Sequence, residues 1–178
     1  MPMKIVLELI AVVCVLLVAS GCMKKHIYTE IDIEAPREQV WAILVDNATY
    51  PEWNPYHVRV EGKMEVGEEL VVELHKPNGN QLTIEPHVMR VVPLEELTWG
   101  GGLWGVFNGE HVFLLNATST GGTKLVQKED FWGIAIPFAE LDTIEEGYNL
   151  MNEALKKRAE AMAAASGVDA PAEPVAAE

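Results

Sequence analysis

The stretch 138–163, FAELDTIEEGYNLMNEALKKRAEAMA, decides the fold. Leu141, Ile144, Tyr148, Met151 and Leu155 recur at three- and four-residue spacing, so they form one apolar stripe. The spacing predicts a long helix over about Phe138 to Ala163. Asp142, Glu145 and Glu146 fall early, and Lys156, Lys157 and Arg158 fall late, which complements the helix dipole. Gly147 in mid-helix costs about 1 kcal/mol relative to alanine, and it lets the helix approach a bulky neighbour. A helix with one apolar stripe must be covered along that stripe by another layer.

That layer reads as sheet. Residues 27–34, IYTEIDIE, alternate, with Ile27, Thr29, Ile31 and Ile33 on one face and Tyr28, Glu30, Asp32 and Glu34 on the other. Ala35-Pro36 ends the strand, and Pro36 suits a helix start. Val40, Trp41, Ile43 and Leu44 give a short helix its apolar side, and the turn-rich 46–55 holds a second short helix. Six more strands follow at His57–Glu61, Leu70–His75, Leu82–Val91, Glu96–Trp99, Glu110–Leu115 and Lys124–Phe131. Pro77-Asn78-Gly79-Asn80 and Thr120-Gly121-Gly122 read as hairpin loops. Pro86 inside a strand favours an edge or a bulge there. The expected fold class is α+β: a curved antiparallel sheet of about seven strands around a long C-terminal helix, with two short helices after the first strand.

Composition narrows the function classes. The chain has 178 residues, a net charge of −14 and 49 % apolar residues, enough for one folded domain. The acidic balance argues against a nucleic-acid partner. Two cysteines, Cys14 and Cys22, exclude a disulfide framework and a cysteine-based zinc site. His26, His57, His75 and His87 show no metal-binding spacing, and no phosphate-cradle pattern occurs, so neither metal nor cofactor is expected.

Both ends stand apart from the domain. Lys4 precedes the apolar run LIAVVCVLLVA at 9–19, which is of signal-peptide length and short for a membrane span. Ala19-Ser20-Gly21-Cys22 resembles the lipobox of bacterial lipoproteins, although Ala19 stands where Leu is more usual. The resemblance implies a signal peptide over 1–21 and lipidation of Cys22. The protein is then anchored to a bacterial membrane in the cell envelope, with its domain outside the cytoplasm. An uncleaved anchor helix, an ordinary signal peptide and a chance match are the alternatives. The domain is expected over 22–160, and 161–178 reads as an Ala/Pro/Glu-rich disordered tail.

Several segments together carry a second resemblance. They are Ile33-Glu34-Ala35-Pro36 with Val40-Trp41, Tyr50-Pro51-Glu52-Trp53-Asn54-Pro55, Val66-Gly67-Glu68 and Leu97-Thr98-Trp99. Further on come Phe107-Asn108-Gly109-Glu110-His111, Gln127-Lys128-Glu129-Asp130-Phe131 and Met151-Asn152-Glu153-Ala154-Leu155-Lys156. In this order the chain is similar to the SRPBCC superfamily, the START-related, polyketide cyclase/dehydrase and pollen-allergen-like helix-grip proteins. The resemblance implies a deep hydrophobic cavity between sheet and C-terminal helix. Members range from lipid carriers to aromatic cyclases and share no catalytic set, so the fold leaves the activity open.

Aromatic residues are the candidates for lining such a cavity: Trp53 and Trp99 from the sheet half, Phe131, Phe138 and Tyr148 near the helix, and Phe107. Each is otherwise ordinary core filling. Trp99-Gly100-Gly101-Gly102-Leu103-Trp104-Gly105 reads as a flexible loop with bulky tips, either a gate or a long hairpin connection. Alternation places His111 on the face of Phe113, and Gln127 and Glu129 on the face of Phe131. His111, Gln127 and Glu129 are therefore the polar candidates for orienting a ligand, and His111 with Glu129 for proton transfer. Three readings follow. The first is a membrane-anchored binding protein for a small hydrophobic ligand, lipid or polyketide-like. The second is a cyclase or hydratase using His111 and Glu129. The third is an envelope interaction protein, with the acidic surface or the Ala-Pro-Glu tail as contact, no internal cavity and an exposed apolar patch.

Overall fold

The computed structural model describes residues 23–166. The proposed signal peptide, Cys22 and most of the tail lie outside the described residues.

Strand β1 spans Lys24–Ile33 and buries Ile27, Thr29 and Ile33, as its alternation requires. Pro36 caps helix α1, Arg37–Val45, its carbonyl accepting from Val40 N at 3.2 Å. A 3-10 turn at Asn47–Thr49 leads into the short helix α2, Tyr50–Trp53. Then come β2 (His57–Glu61), β3 (Val71–His75), β4 (Gln81–Ile84), β5 (His87–Val92), β6 (Glu96–Leu103), β7 (Phe107–Ala117) and β8 (Thr123–Trp132). A 3-10 turn at Ile136–Phe138 precedes the closing helix α3, Ile144–Ala165.

The strands form two antiparallel sheets, one ordered β1-β8-β7-β6-β5 and one ordered β2-β3-β4. The eight strands exceed the expected seven because Leu82–Val91 is two strands, broken at Glu85-Pro86. Pro86 has no N–H to give a ladder, and its carbonyl instead accepts from Leu70 N at 2.8 Å. Gly67 N donates to Val88 O, and Val88 N to Glu68 O, so the segment before β3 ties the two sheets into one curved wall. Register shifts at His57/Arg59 and Val88/Arg90 add curvature.

Helix α3 lies against β1 and α1, in the grip of that wall. Its buried stripe comprises Ile144, Gly147, Tyr148, Met151, Asn152, Leu155, Ala159 and Ala163. The helix starts six residues later than its sequence suggests. Glu140 is held away from a helical path, its carboxylate accepting from Lys76 Nζ at 2.8 Å and from Asn78 and Asn80 of the β3–β4 hairpin. At the other end it runs to Ala165, past the expected domain boundary.

The glycine run is not a loop. Gly100, Gly101 and Gly102 belong to β6 and pair with Glu110, Gly109 and Asn108 of β7. A side chain at Gly102 has no room: its φ is +133°, and a Cβ there falls 2.1 Å from Phe107 O. Only Leu103 to Val106 form the hairpin tip.

Candidate functional site

A cavity of about 330 Å³ lies between the two sheets and the start of α3. This is near the lower end of the size range of small-molecule sites. One wall carries Trp99, Phe107, His111, Glu129 and Phe131 from β6, β7 and β8, and the other carries His57, Leu74, Leu82 and Ile84 from β2, β3 and β4. Tyr56, Ile144 and Tyr148 also line the cavity. Gly109 of β7 leaves room beside the polar wall, since a Cβ there would lie 3.0 Å from the Phe131 ring and 3.2 Å from Glu129 Oε1. An open interior removes one of the two premises of the third reading, the filled interior.

Six of the nine sequence-chosen side chains meet at this cavity: Trp99, Phe107, His111, Glu129, Phe131 and Tyr148. Trp53, Gln127 and Phe138 do not line it. Trp53 packs edge-on to Tyr50 at 5.0 Å, on the short helix after the first strand. Phe138 is 88 % exposed on its 3-10 turn, because the helix that was to turn it inward begins only at Ile144. Gln127 is fully buried behind His111.

Gln127 belongs to a polar chain that orients His111. Asn152 Nδ2 donates to Thr29 Oγ1 at 3.0 Å, and Gln127 Nε2 donates to Asn152 Oδ1 at 2.6 Å. Gln127 Oε1 is therefore left as an acceptor, and His111 Nε2–H donates to it at 3.0 Å. The proton on Nε2 leaves His111 Nδ1 as a bare acceptor. The ring stacks on Tyr148, with centroids 4.4 Å apart and planes at 15°. Burial, then repulsion from His57, hold the imidazole well below its usual range, so it is neutral at physiological pH.

Glu129 sits opposite His111 in the β7–β8 register but is bonded elsewhere. Tyr148 OH donates to Glu129 Oε2. Loss of hydration raises the carboxyl to about 7, the Tyr148 hydrogen bond works against the rise, and Asp130 adds to it. No cation pairs with Glu129 among the described residues, because Lys76 at the cavity rim is occupied by Glu140. In Tyr148→Phe the carboxyl is expected to titrate above 7, since the one interaction favouring its charged form is gone. Infrared titration of the buried carboxyl checks this, and an unchanged or lowered midpoint contradicts the assignment.

Tyr56 and His57 were missed as site residues by sequence reasoning. Tyr56 stands edge-on to Tyr148 at 5.7 Å, and His57 lies 5.7 Å from His111 and 5.9 Å from Trp99, ring to ring. His57 Nδ1 is buried with no hydrogen-bond partner among the described residues, and burial lowers the imidazole to about 3. Asn152 was also missed. Its signal was available: a polar residue one turn from Tyr148, on the buried stripe.

The site is thus an aromatic-walled cavity with a polar patch on one wall, made of a neutral histidine, a carboxyl poised near neutrality and a tyrosine. Comparison with solved structures finds the same fold in other proteins. The chain is similar to the Zhui aromatase/cyclase from Streptomyces sp. R1128, at 17 % identity and a TM-score of 0.64 over 82 % of this chain and 99 % of that one. It is similar to the di-domain ARO/CYC StfQ from the steffimycin biosynthetic pathway, at 12 % identity and a TM-score of 0.64, over 80 % of this chain and 53 % of that one. It is also similar to SA2116 from Staphylococcus aureus, a protein of unknown function, at 16 % identity and a TM-score of 0.59 over 79 % and 98 % of the two chains. A comparison with curated proteins finds no match. The model of one family, described as polyketide cyclase / dehydrase and lipid transport, matches residues 24–167. With most of its length matched, the chain belongs to that polyketide cyclase/dehydrase and lipid transport family.

Proposed function

We propose that this protein binds a small, largely apolar molecule, lipid or polyketide-like, and holds it at a bacterial membrane through a lipid anchor on Cys22. The observation that carries the reading is the aromatic cavity with one polar patch, at Glu129, Tyr148 and His111. Apolar ligand surface removed from water contributes about 25 cal/mol per Å². The patch supplies orientation: a carboxyl that donates when protonated and an imidazole Nδ1 that accepts. A ligand with one oxygenated end and an apolar body matches both features. The aromatase/cyclase names of two similar structures, and the lipid transport in the family's description, support this class of ligand.

Native mass spectrometry of the full chain, purified from its own host in detergent, tests the reading. A co-purifying small molecule, lost on denaturation and on Trp99→Ala, is the expected result. A ligand-free mass, together with no binding of fluorescent fatty acids or polycyclic aromatics, overturns it.

One observation favours a second reading, proton-transfer catalysis. A carboxyl titrating near 7 is suited to give and take protons at neutral pH, and it faces the same cavity as His111. Under this reading Glu129→Gln keeps ligand binding but abolishes turnover. Under the carrier reading the same variant alters affinity alone.

A further inference from the structure

The three most exposed large apolar side chains cluster at one end of the molecule. Leu103 is 67 % exposed and Trp104 is 89 % exposed, both at the β6–β7 hairpin tip, with Val106 beside them. Phe138, 88 % exposed, belongs to the same end. The segment leading to it is bonded to the tip: Ile134 N donates to Gly105 O at 3.2 Å, and Ala135 N donates to Val106 O at 2.9 Å. Soluble surfaces rarely spend a tryptophan and a phenylalanine this way, and grouped apolar side chains mark an interaction site.

Two further observations say what covers them. The first is where the chain enters the fold. Gly133 N donates to Met23 O, so the residue after Cys22 sits beside the same segment, and Lys24 pairs with Trp132 in register. The described chain therefore begins at this end, at Met23. The second is the cavity rim. Gly101 and Gly102 line the cavity and run directly into Leu103-Trp104, while Glu140 lines it two residues after Phe138.

We propose that the β6–β7 tip and the turn through Phe138 form a membrane-docking surface, seated in the interfacial layer of the bilayer and holding the cavity rim against the lipid. The inference rests on the anchored reading above and extends it. The anchor alone leaves the domain free to tumble, whereas docking fixes its orientation and opens the cavity towards the bilayer rather than towards water. Tryptophan and phenylalanine beside an acyl anchor suit the interface, where an amphipathic ring is stabilised at headgroup depth. With a net charge of −14 the protein is repelled by anionic headgroups, so the contact is apolar and persists in high salt.

The test uses the full lipidated chain reconstituted in phosphatidylcholine vesicles with brominated acyl chains, against unbrominated controls. The expected result is bromine quenching of tryptophan emission that survives high salt and is mostly lost in Trp104→Phe. The double variant Leu103→Ser/Phe138→Ser retains Trp104 as reporter and is expected to lose the same quenching while still floating with the vesicles. Vesicle flotation with no quenching of Trp104 overturns the docking surface and leaves the anchor standing. In that case a blue-shifted Trp104 emission that does not change on adding lipid assigns the patch to a second copy of this chain. Failure of the wild type to float overturns anchor and docking together, while leaving the cavity assignment untouched.

Discussion

Gly147→Val is expected to cost about 3 kcal/mol of folding free energy, the upper range for forcing extra atoms into a packed interior. Gly147 is where α3 meets the aromatic end of the cavity. A Cβ at this position falls 2.3 Å from Tyr56 Cε2 and 2.4 Å from Cδ2, well inside contact distance. The Tyr56 ring has no easy retreat, because it is 1 % exposed and lies against His57 at 5.0 Å and Tyr148 at 5.7 Å. Helix propensity alone favours Gly147→Ala by about 1 kcal/mol, but alanine already carries the clashing Cβ, so it too is expected to destabilise, by less than valine. The two effects can be separated by shrinking the neighbour. In the Tyr56→Leu background the cost of Gly147→Val should fall by about 1–2 kcal/mol, the coupling typical of residues in contact. Urea melts of the four proteins measure it. An unchanged cost in both backgrounds would mean that the ring is not what the glycine accommodates.

That glycine also shows what the sequence made legible. Its mid-helix position announced a close approach, but only the folded chain names Tyr56 as the partner, because the pair is far apart along the chain. The stripe on α3, the alternation in β1 and the two hairpin loops were readable because each is a local pattern. The strand break at Pro86 was only half readable. Proline announces a lost donor, but the bond from Leu70 that ends the strand is non-local. The glycine run was misread because glycines carry no side-chain period, and their pairing partners lie in a different strand. The site followed the same division. Alternation put Gln127, Glu129 and Phe131 on one face, and it could say no more. Depth along that face separates Gln127, sealed in a polar chain with Asn152, from Glu129 at the cavity wall, and a period of two carries no depth. Phe138 was assigned by extending a helical pattern through a segment that the β3–β4 hairpin pulls straight.

Acid lability is expected to originate in the cavity wall, with His57 contributing as much as about 4 kcal/mol between pH 6.5 and 3. Burial lowers this imidazole to about 3, whereas in the unfolded chain it titrates near 6.5. Within that window the unfolded state binds more protons, so stability falls as pH falls. His111, lowered in the same direction by burial and by His57, adds to the loss. Glu129 acts with the opposite sign. Its folded carboxyl titrates near 7 against 4.5 unfolded, so its contribution is full below 4.5 and is lost as pH rises to 7. Where the windows overlap, two histidines oppose one carboxyl, and stability still rises with pH. His57→Phe should therefore flatten the acid limb. At neutral pH it should match or exceed the wild type by about 1 kcal/mol, because the unpartnered Nδ1 is removed. Glu129→Gln should steepen the rise between pH 4.5 and 7, since the opposing proton is gone. Denaturant melts across this range decide the matter: a His57→Phe curve parallel to wild type below pH 6.5 rules out the buried neutral imidazole. The same protonation governs the ligand. If the carboxyl at Glu129 donates to an oxygenated group, affinity must weaken above pH 7 in the wild type and lose that dependence in Glu129→Gln, so one titration links the stability of the empty cavity to what it holds.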